Sequence, residues 1–277
     1  MTRTAAGLLL ATACAALTPI DTHADEPAAL FVAMDATHAR YHSRETLAGG
    51  ELFNREDGAL QGGTLAVGAP AFGARWQLQA TRLAGTVAYE GRTQFGFPRG
   101  TATRLQLERL GLRVTPQVRL PLGPGSLGWQ AGLGAQRIDR AIQASLLSLP
   151  ATEVLHSRVL DLGLDWRQDL GHAWQWQAGL ATHWPLWQRL RVNTFGEFDP
   201  FSLRPGQRGW TSAELALQWA WTPAVALVAG LRAEGLRFGP AAAAAITRGG
   251  QPAGVSSYPG STQRLLATQL GLRVTLP

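Results

Sequence analysis

An all-β fold, a closed antiparallel transmembrane β-barrel of about ten strands, is the class this sequence predicts, and three observations predict it. Apolar and polar side chains alternate through most of the chain. The connections between the alternating stretches are in turn short and long. Most tryptophans gather beside the short ones. No segment downstream of the N-terminus offers the run of ~20 apolar residues that a membrane helix needs, so the crossing elements have to be strands.

Composition is compatible with this and excludes other classes. Hydrophobic residues are 45% and charged residues 16% of the 277, which rules out a disordered chain and leaves a large apolar surface to be covered. All 25 basic residues are arginines and the net charge is +6. They are scattered singly, without a basic run or helical stripe, so no nucleic-acid partner is expected.

The N-terminus reads as an export signal. Arg3 supplies the positive start, and Ala5 to Leu17 form an apolar stretch too short to span a bilayer as a helix. Cleavage after Ala24, with Thr22 and Ala24 as the small residues, divides the chain into a signal peptide, 1–24, and a barrel domain, 25–277. Cys14 is the single cysteine and lies inside that signal, so the mature chain has no disulfide and no thiolate metal site. Lipidation at Cys14 is the competing reading, and the shortness of the apolar run before it argues against it.

Turn-forming Gly, Pro and Ser divide the rest into ten segments: 29–43, 50–69, 75–94, 101–120, 127–143, 153–169, 173–195, 208–222, 224–239 and 261–276. In the fourth, Leu110, Leu112, Val114, Val118 and Leu120 share one face and Arg109, Arg113, Thr115, Gln117 and Arg119 the other. The sixth sets Leu160, Leu162, Leu164 and Trp166 against Asp161, Gly163, Asp165 and Arg167. The tenth sets Leu270, Leu272, Val274 and Leu276 against Gln269, Gly271, Arg273 and Thr275. The period slips at Glu108–Arg109 and around Arg82–Leu83, where a β-bulge is expected to restore the faces. The alanine run 241–245 falls in the longest loop and reads as a short helix.

Connections at 70–74, 121–126, 170–172 and about 223 are short, whereas those near 44–49, 95–100, 144–152, 196–207 and 240–260 are mostly longer. This is the asymmetry of periplasmic turns and external loops. Trp76, Trp129, Trp166, Trp174, Trp176, Trp219 and Trp221 flank the short turns as an aromatic girdle at one membrane interface. Trp184, Trp187 and Trp210 stand at the opposite strand ends, where a second girdle belongs. A secreted β-sandwich also alternates, but it has no reason to gather tryptophan at one set of turns.

With the closing segment Leu270-Gly271-Leu272-Arg273-Val274-Thr275-Leu276, the chain resembles the small outer-membrane β-barrel proteins of Gram-negative bacteria. The resemblance implies location in the outer membrane, contact with its lipid and lipopolysaccharide, and insertion by the barrel assembly machinery. Pro277 departs from the aromatic residue that usually ends that family's assembly signal.

If leucine and tryptophan face lipid, the alternate residues line the lumen. Arg113, Asp161, Glu214 and Arg232 fall about eight or nine residues from a short turn, with Glu234 and Gln269 near that level, and are expected to form a charge network that plugs a narrow barrel. A hydrolase is the alternative, because ten strands is also the size of the omptin outer-membrane proteases, and a narrow small-solute pore comes third. Asp-x-His occurs only at Asp21 and His23, and neither Asp-x-Asp nor the His-x-Ser of outer-membrane lipid hydrolases is present. His156 and His183, on adjacent strands, could approach one another, with Glu153 or Glu197 to orient one of them. The plainer reading makes all five histidines of the barrel domain, His38, His42, His156, His172 and His183, rim residues in contact with water. Loop charges such as Arg44, Glu45, Arg55 and Glu56 in the first hairpin, and Glu197, Asp199, Arg204 and Arg208 in the fourth, are expected above the membrane, where arginine suits lipopolysaccharide phosphates. No cofactor and no metal are expected. The function read from the sequence is therefore a structural or surface-interaction role with a largely closed, charge-lined lumen.

Overall fold

A computed structural model describes residues 29–276 except 48, 93–97 and 147. The export signal, its cleavage after Ala24, and Pro277 lie outside the described residues. The strands in chain order are β1 (Leu30–Thr46), β2 (Leu52–Ala71), β3 (Ala74–Arg92), β4 (Pro98–Pro116), β5 (Leu120–Leu122), β6 (Gly125–Ile142) and β7 (Ala151–Gly171). They continue as β8 (Trp174–Asn193), β9 (Phe201–Leu203), β10 (Trp210–Ala220), β11 (Val225–Phe238), β12 (Ala244–Arg248), β13 (Gln251–Ser256) and β14 (Ser261–Leu276).

Ten of these are staves of a closed antiparallel barrel. Pairing runs β1-β2-β3-β4-β6-β7-β8-β10-β11-β14, and β14 pairs again with β1. Closure leaves the wall no free edge, as a membrane demands of strands. Short β5 and β9 extend the wall beside β6 and β8, and β12–β13 form a separate hairpin. The segment predicted to be a helix at 241–245 is instead irregular and then the start of β12, because Ala244 and Ala245 pair with Ser256 and Val255 across the hairpin.

The staves are longer than a bilayer requires. β7 has 21 residues. At about 3.3 Å per residue and a tilt near 40°, such a strand stands about 50 Å tall, roughly twice the apolar band of an outer-membrane barrel. The wall accordingly has two zones. In the half near the short turns, Met34, Leu65, Leu112, Leu133, Leu180 and Leu215 point outward and are exposed. A continuous apolar belt of this extent is stable only against lipid. In the other half the pattern inverts: Leu60, Leu83, Leu105, Leu107, Ile138 and Leu236 are buried inside the barrel. The outer wall there carries Arg55–Glu90 (3.1 Å), Arg82–Glu108 (3.8 Å) and Arg137–Asp139 (2.9 Å).

This inversion replaces the expected bulges. The β3–β4 register runs unbroken from Ala74↔Pro116 to Arg92↔Pro98, so Arg82 and Glu108 keep the outward face and Leu83 and Leu107 the inward one. The medium changes at that height, not the strand geometry. A genuine irregularity occurs in β8, where Trp187 pairs with Arg158 and Pro185 with Val159, leaving Leu186 unpaired. Proline has no N–H to give to the ladder, and a bulge accommodates it. The extra residue lets Trp184, Leu186 and Trp187 all face outward, each more than 40% exposed.

Two long loops at the end opposite the short turns clasp each other over β8 and β11. Asp199, after β8, accepts from Thr247 Oγ1 at 2.6 Å and from the backbone N–H groups of Gly249 and Gly250 at 3.0 and 2.9 Å. Arg248 lies 5.3 Å over the Phe198 ring and donates to Glu197 O. Gly206 and Gly239 form a bridge between the same loops.

Candidate functional site

Register alone assembles the middle of the lumen. Asp161 of β7 lies opposite His183 of β8, and His183 lies opposite Trp210 of β10. Ser212, two residues on from Trp210, shares its inward face. His183 Nδ1 meets Asp161 Oδ1 at 2.5 Å, and Nε2 meets Ser212 Oγ at 2.9 Å. A carboxylate beside Nδ1 holds the ring proton on that nitrogen, which leaves Nε2 to accept from the serine hydroxyl. Nucleophile, base and orienting acid thus occur in the hydrogen-bond order of a hydrolytic triad.

Around this trio lies a second network. Trp210 stacks on His183 at 5.4 Å and donates Nε1–H to Glu234 Oε1 at 3.1 Å. Arg109 Nη1 donates to Glu234 Oε2 at 2.6 Å, while its Nε donates to Gln136 Oε1 at 3.0 Å. Glu234 is almost fully enclosed, so its charge depends on these donors. Arg109, Arg113, Gln136, Asp161, His183 and Arg232 line the chamber between them, whereas Ser212 stands outside its lining.

The sequence-derived network maps onto this level with different partners. Arg113, Asp161, Glu214, Arg232 and Glu234 all sit at inward positions of their strands. Glu234 is gripped by Arg109, with Arg232 Nε farther off at 4.0 Å, and Asp161 is taken by His183. Neither Arg113 nor Glu214 forms an ion pair with a described residue. Glu214 lies flat over Gly179, where an added Cβ would come within 2.7 Å of its Cγ. His156 and His183 do not meet: His156 faces outward opposite Arg189, and His183 faces in. They are separated by strand parity, which chain distance does not reveal.

Two further ion clusters lie in the lumen, and the second takes up Glu153, which the sequence had offered as a partner for a histidine. Nearer the turns, Arg119 Nη1 and Arg167 Nε converge on Asp165 Oδ2 at 2.8 and 3.2 Å. In the outer half, Arg140 pairs with Glu153 on the neighbouring strand β7 (2.5 Å) and reaches across the lumen to Glu45 (2.8 Å) and Glu56 (3.1 Å). Asn54 and Tyr41 donate to Glu45 and Glu56 in support. Glu45 and Glu56 are therefore buried inside the wall and not loop charges. Their signal was present: both lie on the inward parity of β1 and β2. Among the described residues no group of three or more His, Cys, Asp or Glu is arranged to hold a metal ion.

Outside the barrel, Trp76, Trp129, Trp174 and Trp221 are exposed beside the short turns, and Trp166, Trp176 and Trp219 are partly covered. Trp76 Nε1 donates to Ala71 O and Trp166 Nε1 to Leu122 O, and Trp174 stacks on Trp219 at 5.9 Å. Trp184 and Trp187 face outward at the other boundary, but Trp210 does not join them. It is 4% exposed and points into the lumen, because its position in β10 has inward parity.

Comparison with known structures agrees with this geometry. The outer-membrane protease OmpT from Escherichia coli superposes with a TM-score of 0.61 at 12% identity, over 92% of this chain and 99% of that one. The fold is that of a small outer-membrane β-barrel. The translocator domain of the autotransporter NalP from Neisseria meningitidis matches at a TM-score of 0.43 and 12% identity, over 90% of this chain and 89% of that one. No family model and no curated protein matches the chain. At 12% identity the likeness to OmpT speaks for architecture alone, and the role rests on the residues.

Proposed function

We propose that this protein is a non-conducting outer-membrane barrel that acts at the cell surface through its clasped external loops. One observation carries this reading: the outer half of the lumen is packed with apolar side chains, including Leu83, Leu105, Ile138 and Leu236, and bridged by Arg140 and its three carboxylates. An ion would have to cross a core packed with apolar side chains. The arginines Arg40, Arg82 and Arg137 of the outer wall stand just above the apolar belt and Arg55 stands nearer the loops, which suits contact with lipopolysaccharide phosphates. Planar-bilayer recordings of the refolded chain should show no steady conductance, and a stable open level would sink the reading.

A hydrolase is the second reading, favoured by the Asp161–His183–Ser212 hydrogen-bond order. Incubation with a fluorophosphonate followed by peptide mass mapping tests it. A label on Ser212 that disappears in His183→Ala would establish the hydrolase, and an unlabelled Ser212 would leave the trio a positioning network for His183.

A further inference from the structure

The mid-lumen chamber has an imbalance between donors and acceptors. Its acceptors are largely committed: both oxygens of Glu234 are taken by Arg109 and Trp210, Asp161 Oδ1 by His183, and Gln136 Oε1 by Arg109. Its donors are not. Arg109 Nη2, Gln136 Nε2 and Arg232 Nε are buried without a hydrogen-bond partner, and Gln136 is only 4% exposed. These donors come from three separate staves, β4, β6 and β11, and their side chains line the same cavity. Three arginines, Arg109, Arg113 and Arg232, face two carboxylates in that lining. Glu214 and Asp35 act on Arg232 from outside it.

We propose that this chamber is a binding site for a small oxyanion, a carboxylate or a phosphate. The charged oxygens of such a group are acceptors, the complement of the donors left unpaired in the lining. Hydrogen bonds between guanidinium and oxyanion are charge-assisted and geometrically selective. A neutral acceptor would forgo the charge assistance that the guanidinium groups offer. The cavity volume of about 70 Å³ limits the ligand to a group of a few heavy atoms. The proposal is independent of the surface role, since an anion held in the lumen requires neither a partner nor a hydrolytic serine.

The test is thermal unfolding of the refolded chain in detergent at pH 7, titrated with inorganic phosphate and with acetate against chloride at matched ionic strength. A saturable rise in the midpoint with either anion beyond the chloride control supports the site, and the anion that binds more tightly assigns the ligand class. Gln136→Leu and Arg232→Gln should each weaken that binding by about tenfold or more, the loss of one hydrogen bond to a charged ligand. No rise above chloride with either anion overturns the proposal. So does a rise that persists unchanged in both variants, because the anion would then be acting elsewhere.

Discussion

At the scale of single residues, the lumen depends on small side chains beside large charged ones. Gly179 leaves the space into which Glu214 folds, and a β-carbon there meets Glu214 Cγ at 2.7 Å. Gly179→Val should therefore lower stability by about 1–3 kcal/mol, the usual cost of overpacking, measured as a shift in the urea midpoint of the refolded barrel. Arg140 is a stronger case. Its side chain and those of Glu45 and Glu56 are at most 7% exposed, so removing the cation leaves clustered carboxylates without compensation. Arg140→Leu should destabilise by about 3–5 kcal/mol, whereas a variant that also replaces Glu45 and Glu56 by Gln should recover part of that loss. Equal loss in both variants would show that packing, not charge, is what Arg140 contributes.

At the scale of elements, the clasp between the Asp199 loop and the β12–β13 hairpin should respond to pH in a defined direction. The Thr247 hydroxyl, and after it the N–H groups of Gly250 and Gly249, hold the Asp199 carboxyl below the usual aspartate range. A group whose folded value is depressed contributes stability that is fully present above its unfolded value and is lost as pH falls through the folded one. Limited proteolysis should thus find the hairpin protected near neutrality and progressively cleaved below about pH 4, where aspartate ordinarily titrates. Asp199→Ala should expose the hairpin at every pH without changing the heat stability of the barrel. The β8 bulge also belongs to this scale. Its unpaired Leu186 resets the parity of the strand, so that Gln188 and Leu190 return to the interior above His183.

At the scale of the whole molecule, the wall works in two media. Lipid surrounds the apolar belt, while the outer half stands in water with a core of its own. Brominated-chain lipids should quench Trp129 and Trp184 strongly and Trp210 weakly, each observed as the sole tryptophan in a Trp→Phe background. Equal quenching of all three would contradict the inward placement of Trp210. Alternation of side chains, the turn residues and the gathering of Trp76, Trp174 and Trp221 determined the barrel and its strand count from sequence alone. Those signals are local, since parity and turn chemistry depend on residues a few positions apart. Tertiary structure alone decided which charges meet. Arg109 and Glu234 are separated by 125 residues, and Arg140 and Glu45 by 95. Their encounter depends on the stagger of ten staves around a closed wall. The same holds for the inversion of faces at Arg82 and Glu108: a period of two states that neighbouring side chains oppose each other, and only the height of the wall above the lipid states which of them is apolar.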